Sequence, residues 1–182
     1  MQAILSQWQS GILKGVCDIV LVFSNHPDAA GLEIAREAGV PVLACDSRGR
    51  KREDFDRELC ELIAPYKLDY IILAGYMRVV SPPLIQAYRR RIINIHPADT
   101  SQFKGIGAYK WVYESGQTKN AVTVHFVDEG VDTGEVIAKR EYSFEGVSSL
   151  HELEQRGLAV EHSFYSEVLR SIFDLFIHNG GN

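Results

Sequence analysis

Short apolar runs that alternate with stretches of helical periodicity constrain this chain more than any other feature. Asp18–Phe23 and Tyr70–Ala74 are nearly unbroken in their hydrophobicity, and Val40–Ala44 and Arg91–His96, the latter stopped by Pro97, read as further strands. That is the pattern of strands covered on both faces, as in a parallel sheet. Between them lie a helix over Asp28–Ala38 ended by Gly39, a helix over Arg52–Ala64 running into Pro65, and a helix opened by Pro82 and Pro83. Alternation of this kind predicts an α/β architecture with a doubly wound, mostly parallel sheet. Ahead of the first run, Ile4, Leu5, Trp8 and Ile12 recur at helical spacing from Gln2, with only Met1 before them and no capping side chain.

The second half predicts a helix near Ala108–Ser115, then strands at Ala121–Val127 and Glu135–Ser143. These are joined by Asp128-Glu-Gly-Val-Asp-Thr-Gly134 as a hairpin-like pair. A final helix runs from Ser148 to about Ile177 through Leu150, Leu153, Leu158, Phe164, Val168 and Ile172. With 182 residues the chain fits one domain, 1–182, and can bury a single core. The balance of 19 basic against 24 acidic residues, a net charge of -5, argues against nucleic acid as a partner. Arg89, Arg90 and Arg91 read as a run that complements a helix terminus. Cys17, Cys45 and Cys60 stand far apart without a Cys-x-x-Cys pair, which predicts a reducing, cytoplasmic setting and no metal. The longest apolar run, Ile19–Phe23, is too short to cross a bilayer, so no membrane is expected. There is no Gly-x-Gly-x-x-Gly for a dinucleotide and no His-Glu-x-x-His for a metal.

Residues two apart in a strand share a face, so Asn94 and His96 project together at the carboxyl end of their strand while Ile93 and Ile95 point into packing. Open α/β sheets place their ligand crevice at that end. A carboxamide beside an imidazole is suited to holding a developing oxyanion, although spacing alone equally allows a turn-capping Asn and a satisfied core His. Asp132 sits on the glycine-flanked loop Gly130–Gly134, whose backbone freedom can present a carboxylate to another strand's site; a turn-forming surface Asp is the plainer reading. His125, opposite in face to Val122, Val124 and Phe126, reads as structural or as a support to the site, and His26 before Pro27 as a loop residue.

Three segments carry a resemblance. Ala74-Gly-Tyr-Met-Arg-Val-Val-Ser-Pro82, Ile93-Asn-Ile-His-Pro97 and Thr123-Val-His-Phe-Val-Asp-Glu-Gly-Val-Asp-Thr-Gly134 resemble the signatures of the glycinamide ribonucleotide formyltransferase family, folate-dependent enzymes of purine synthesis, in their order and near their spacing. The resemblance covers the chain from Gln2 to the last helix. It implies a Rossmann-like formyltransferase fold, 10-formyltetrahydrofolate as co-substrate, glycinamide ribonucleotide as acceptor, and a monomer or homodimer. It further implies that Asn94 and His96 stabilise the oxyanion, and that Asp132 keeps His96 protonated and relays the amine's proton. By the same resemblance Met77, Arg78, Val79 and Val80 form a pterin-facing loop, and Asp128, Glu129, Gly130 and Val131 close that pocket. Pro97 and Glu161 contact the acceptor.

The chain also departs from the family. Relatives open with a strand and a Gly-x-Gly-Ser-Asn type turn that holds the acceptor's phosphate at a helix N-terminus. Here the first strand and the phosphate-binding turn are absent, and that strand is expected between Asp18–Phe23 and Tyr70–Ala74. The segment Ala98–Gly105 replaces a common Ser-Leu-Leu-Pro run, and Gly107 stands where many relatives have His. These changes border the acceptor. They leave open a formyltransferase or deformylase for another acceptor, or a truncated, non-catalytic folate-binding domain.

Overall fold

The structure, a computed structural model, describes residues 1–178. Its elements in chain order are α1 (Gln2–Ser10), β1 (Val22–Ser24), α2 (Ala30–Glu37), β2 (Val42–Ala44), α3 (Arg52–Ile63), β3 (Ile71–Ile72), α4 (Pro82–Ala87), β4 (Ile92–His96), α5 (Ala108–Glu114), β5 (Lys119–Phe126), β6 (Val136–Ser143) and α6 (Leu150–His178). Every expected helix and strand is present, and the ends differ by a few residues. The strand expected over Asp18–Phe23 pairs only at Val22–Ser24, because its partner β2 spans just Val42–Ala44. The helix α1 ends at Ser10, so Ile12 lies beyond it, its N–H donated to the Gln7 side chain at 3.0 Å.

The α/β alternation holds, but the strands fall into two sheets, one of β1 and β2 and one ordered β3-β4-β5-β6. The β1–β2 and β3–β4 pairs are parallel, whereas β4–β5 and β5–β6 are antiparallel. The second sheet is therefore mixed, because a tight hairpin can return β6 only antiparallel to β5. β1 and β3 each end their own sheet.

Winding on both faces follows from strand periodicity. Ile93 packs with Leu13, Val122, Val124 and the α6 residues Phe164, Tyr165 and Val168, and Ile95 lies against the same cluster. Its neighbour Ile92 faces the other way, onto Phe55 and Leu59 of α3 and Leu84 of α4. Each fully buried aliphatic or aromatic side chain contributes about 1.5–3 kcal/mol. The long α6 begins at a capping arrangement: Ser149 Oγ accepts from the Glu152 N–H at 3.2 Å, while the Glu152 carboxylate reaches back to Ser148 N at 3.0 Å. The Tyr165 hydroxyl of α6 sits between the carbonyls of Leu73 at 3.0 Å and Ile93 at 2.9 Å. One helix thus ties β3 to β4 immediately before Asn94.

Candidate active site

Asn94 and His96 leave β4 on the face opposite Ile93 and Ile95, and β5 brings His125 directly opposite Asn94 in the antiparallel register. Between Val124 and His125 the β5–β6 register slips by one residue, from Val124↔Ala138 to His125↔Val136. The hairpin loop that follows turns back over the strand tips. Asp128 Oδ1 accepts from Gly130 N at 3.1 Å and from Thr133 Oγ at 2.6 Å, an Asx turn that shapes this loop.

The glycines of the loop are needed for space more than for freedom. A Cβ on Gly134 would stand 1.7 Å from the Phe126 carbonyl oxygen, and one on Gly130 would stand 2.0 Å from Thr133 Oγ. Asp132 itself takes the left-handed conformation, φ 50°, which Asp and Asn adopt at little cost. That conformation turns its carboxylate inward.

The carboxylate becomes the hub of the site. Oδ2 lies 3.2 Å from His96 Nδ1 and accepts from the Gly105 N–H at 2.8 Å. Oδ1 lies 3.4 Å from His125 Nε2 and 3.5 Å from Asn94 Nδ2. Asn94 Nδ2 is also 3.4 Å from His125 Nε2, so its contacts are long and weak. His96 is 4% and His125 2% exposed, and 12% of the Asp132 side chain is exposed. The hydrogen bond from His125, ahead of that from Gly105 and the charges of the two histidines, holds the Asp132 carboxyl down at about 2.

Burial lowers His96 below the usual imidazole value, against the opposing pull of Asp132. Asp132 Oδ2 is the acceptor that faces His96 Nδ1 at 3.2 Å, and a ring contact to the Phe103 backbone also raises His96. Among the described residues, His96 Nε2 is buried without a hydrogen-bonding partner. Phe103 stacks on the ring at 6.4 Å between centroids and 12° between planes, and Trp111 stacks behind Phe103 at 5.2 Å. His125 is oriented in turn by Nδ1 against the Phe126 carbonyl at 2.8 Å.

The cluster opens into a cavity of about 810 Å³. Met77, Arg78, Val79 and Val80 wall one side, and Asp128, Gly130 and Val131 another. Pro97 and Glu161 also line it, and Tyr109 donates its hydroxyl to Glu161 Oε1. Glu161 is drawn into the cavity, where burial raises its carboxyl. Glu129 is the one expected pocket residue not brought in; it is exposed and faces a neighbouring hollow with Lys51, Arg52 and Ser81. Its side chain points away because Asp128 and Gly130 on either side already face the cavity.

Sequence reasoning underrated His125 and missed Gly105, Phe103 and Tyr109. The cross-strand register that seats His125 opposite Asn94 is invisible in one strand alone, and Gly105 contributes only a backbone N–H. Among the described residues, no group of His, Cys, Asp and Glu has metal-holding geometry, and no helix is long and apolar enough to cross a membrane.

Comparison with known proteins places this geometry in context. A family model described as formyl transferase matches residues 1–169. The chain is 39% identical over 140 residues to the trifunctional purine biosynthetic protein adenosine-3 of Drosophila melanogaster, covering 76% of this chain and 10% of that protein. It is 38% identical over 162 residues to the chloroplastic phosphoribosylglycinamide formyltransferase of Arabidopsis thaliana, covering 85% of this chain and 56% of that one. The chain thus spans little more than half of one of these relatives and a tenth of the other. The crystal structure of phosphoribosylglycinamide formyltransferase from Bacillus halodurans superposes with a TM-score of 0.88 at 34% identity, over 94% of this chain and 88% of that one.

Proposed function

We infer the activity of this chain from the family to which it belongs, that of the formyl transferases: it moves a formyl group from 10-formyltetrahydrofolate to the primary amine of glycinamide ribonucleotide, a step of purine biosynthesis. The observation that carries this reading is the meeting of Asn94, His96 and Asp132 at the floor of one cavity. The named relatives and structural neighbours support the acceptor.

The cavity's lining fits a formyl-folate. Apolar side chains of Val79, Val80 and Val131 suit the faces of a flat heterocycle, and the main chain beside them offers donors and acceptors for its edge. Bound there, the carrier supplies an activated formyl carbon. Asn94 Nδ2 is held only by long contacts and is free to turn to the formyl oxygen as negative charge grows on it.

His96 takes a more specific part than its charge alone would give. With Nδ1 turned to Asp132, Nε2 is the ring nitrogen left to accept the proton released by the attacking amine. The resulting imidazolium then faces the negative oxygen, and Asp132 stabilises it across 3.2 Å. The same proton leaves with the amine nitrogen of the carrier when its bond to carbon breaks. Burial of His96 in the free protein favours this order, with a neutral base first and a cation second.

The test is a formyl-transfer assay on the purified chain with 10-formyltetrahydrofolate and a panel of amines, glycinamide ribonucleotide among them. Formylated glycinamide ribonucleotide as the preferred product is expected. Transfer to a different amine would overturn the acceptor, release of formate alone would make the chain a deformylase, and no reaction with any partner would refute the enzymatic reading.

A further inference from the structure

The segment from Gly75 to Val80 walls the cavity, yet among the described residues no backbone N–H or C=O from Ala74 to Val80 pairs with another backbone group. Such a segment can read a ligand through its main chain, but only if side chains hold it from behind. Arg78 supplies one hold: Nη2 donates to the Arg50 carbonyl at 2.9 Å, Nη1 to that of Ser47 at 3.4 Å, and the guanidinium lies 5.0 Å over the Phe55 ring.

Asp56 supplies the other. This α3 carboxylate is 1% exposed and forms no ion pair among the described residues. Its Oδ2 accepts from both the backbone N–H of Ser81 at 2.6 Å and the Ser81 hydroxyl at 2.5 Å. An interior carboxylate without a cation is a poor choice for stability alone. Among the described residues, three of the four buried side-chain polar atoms without a partner belong to this support: Asp56 Oδ1, Tyr76 OH and Arg78 Nε. Burial first, and the Asp56 charge second, push the Tyr76 hydroxyl up, which places that hydroxyl within the carboxylate's field. Unsatisfied interior atoms gathered behind one wall of a cavity mark a place where geometry is held for use.

We propose that Asp56 is a positioning residue for the folate: by gripping Ser81 it sets the main-chain position of Val79 and Val80 against which the heterocycle lies. The proposal rests on the formyl-folate reading above. Asp56 touches neither substrate, so its effect falls on folate affinity and not on the proton transfer at His96.

Asp56→Asn and Ser81→Ala are compared with the unaltered chain for 10-formyltetrahydrofolate affinity by calorimetry, acceptor KM, kcat at saturation, and hydrogen exchange of the residue-81 amide without ligand. Loss of one charge-assisted hydrogen bond corresponds to a Kd raised about tenfold in Asp56→Asn, and loss of the hydroxyl bond alone to about threefold in Ser81→Ala. Acceptor KM and kcat are expected to stay within about twofold, and exchange at the residue-81 amide to quicken in Asp56→Asn more than in Ser81→Ala. If Asp56→Asn does not fold, Ser81→Ala decides alone. Unchanged folate affinity in folded variants, or equal losses for folate and acceptor, would overturn the proposal. An unaltered chain that binds no formyl-folate would instead refute the reading beneath it, while the exchange rates would still report whether Asp56 holds the segment.

Discussion

Strand periodicity made the shared face of Asn94 and His96 legible, but the choice of these two and of Asp132 as a site came from the family resemblance. The structure brings Asp132 to 3.2 Å from His96 and 3.5 Å from Asn94. If Asn94 Nδ2 meets the charge that develops on the formyl oxygen, Asn94→Ala loses about 3 kcal/mol of transition-state stabilisation, roughly a hundredfold in kcat. It should do so with an unchanged unfolding midpoint, since the contacts removed are long. Steady-state kinetics paired with a urea titration checks both halves. The role of His96 as a neutral base gives a second prediction. Its folded pKa lies below the ordinary value because of burial, so kcat/KM should be flat near neutrality and fall on an acid limb centred below about pH 6.5. Asp132→Asn keeps the left-handed backbone but removes the charge that raises His96, so the residual activity of that variant should show its limb at still lower pH. A pH–rate profile with the limb above that of free imidazole would contradict the assignment. His125 was not legible as a site residue, because its place depends on which residue of β4 stands across from it.

At the scale of elements, helix and strand order could be read from periodicity, while strand lengths and sheet membership could not. Apolar runs such as Asp18–Phe23 look the same whether or not a neighbour is there to pair with, and β1 extends only as far as β2 allows. Hairpin β5–β6 was legible for the opposite reason, its turn chemistry being contained in seven adjacent residues. That turn sets a third prediction. The approach of Gly134 to the Phe126 carbonyl leaves no room for a methyl group, and the clashing atom is backbone, which cannot swing aside. Gly134→Ala should therefore destabilise the fold by about 1–3 kcal/mol. It should also reduce turnover by displacing Asp132, two residues away. Chemical denaturation and kcat measured on the same preparation test the coupling; lost stability with full activity would separate the turn from the site.

For the whole molecule, the buried acid–imidazole cluster makes global stability a function of pH. Asp132 has its carboxyl depressed to about 2 by His125, Gly105 and the neighbouring histidine charges. Its stabilisation is complete above the unfolded carboxyl value near pH 4 and is lost as the pH falls toward about 2. Because one side of the carboxylate meets solvent, the contribution is discounted to roughly 1–2 kcal/mol. His96 adds a change of the same sign at higher pH: below about pH 6.5 the unfolded chain takes up a proton that the buried ring resists, so stability begins to decline there. Urea unfolding between pH 8 and pH 3 should show a plateau near neutrality, a first decline below about pH 6.5 and a second below about pH 4. In Asp132→Asn the second decline should be shallower.

The division of the strands into two sheets reaches beyond topology. Among the described residues, no main-chain hydrogen bond crosses from residues 1–50 to residues 70–178. The two parts cohere through apolar clusters that join Leu13 and Trp8 to Ile93 and Phe164, and Phe23 and Leu43 to Leu84 and Ile92, and through the side chains of Arg78 and Arg170 reaching carbonyls of the first part. Side chains, and not a strand ladder, therefore hold these two parts together. The cavity lies beside their boundary, with Ala3 and Ile4 on one bank and Asn94 and His96 on the other.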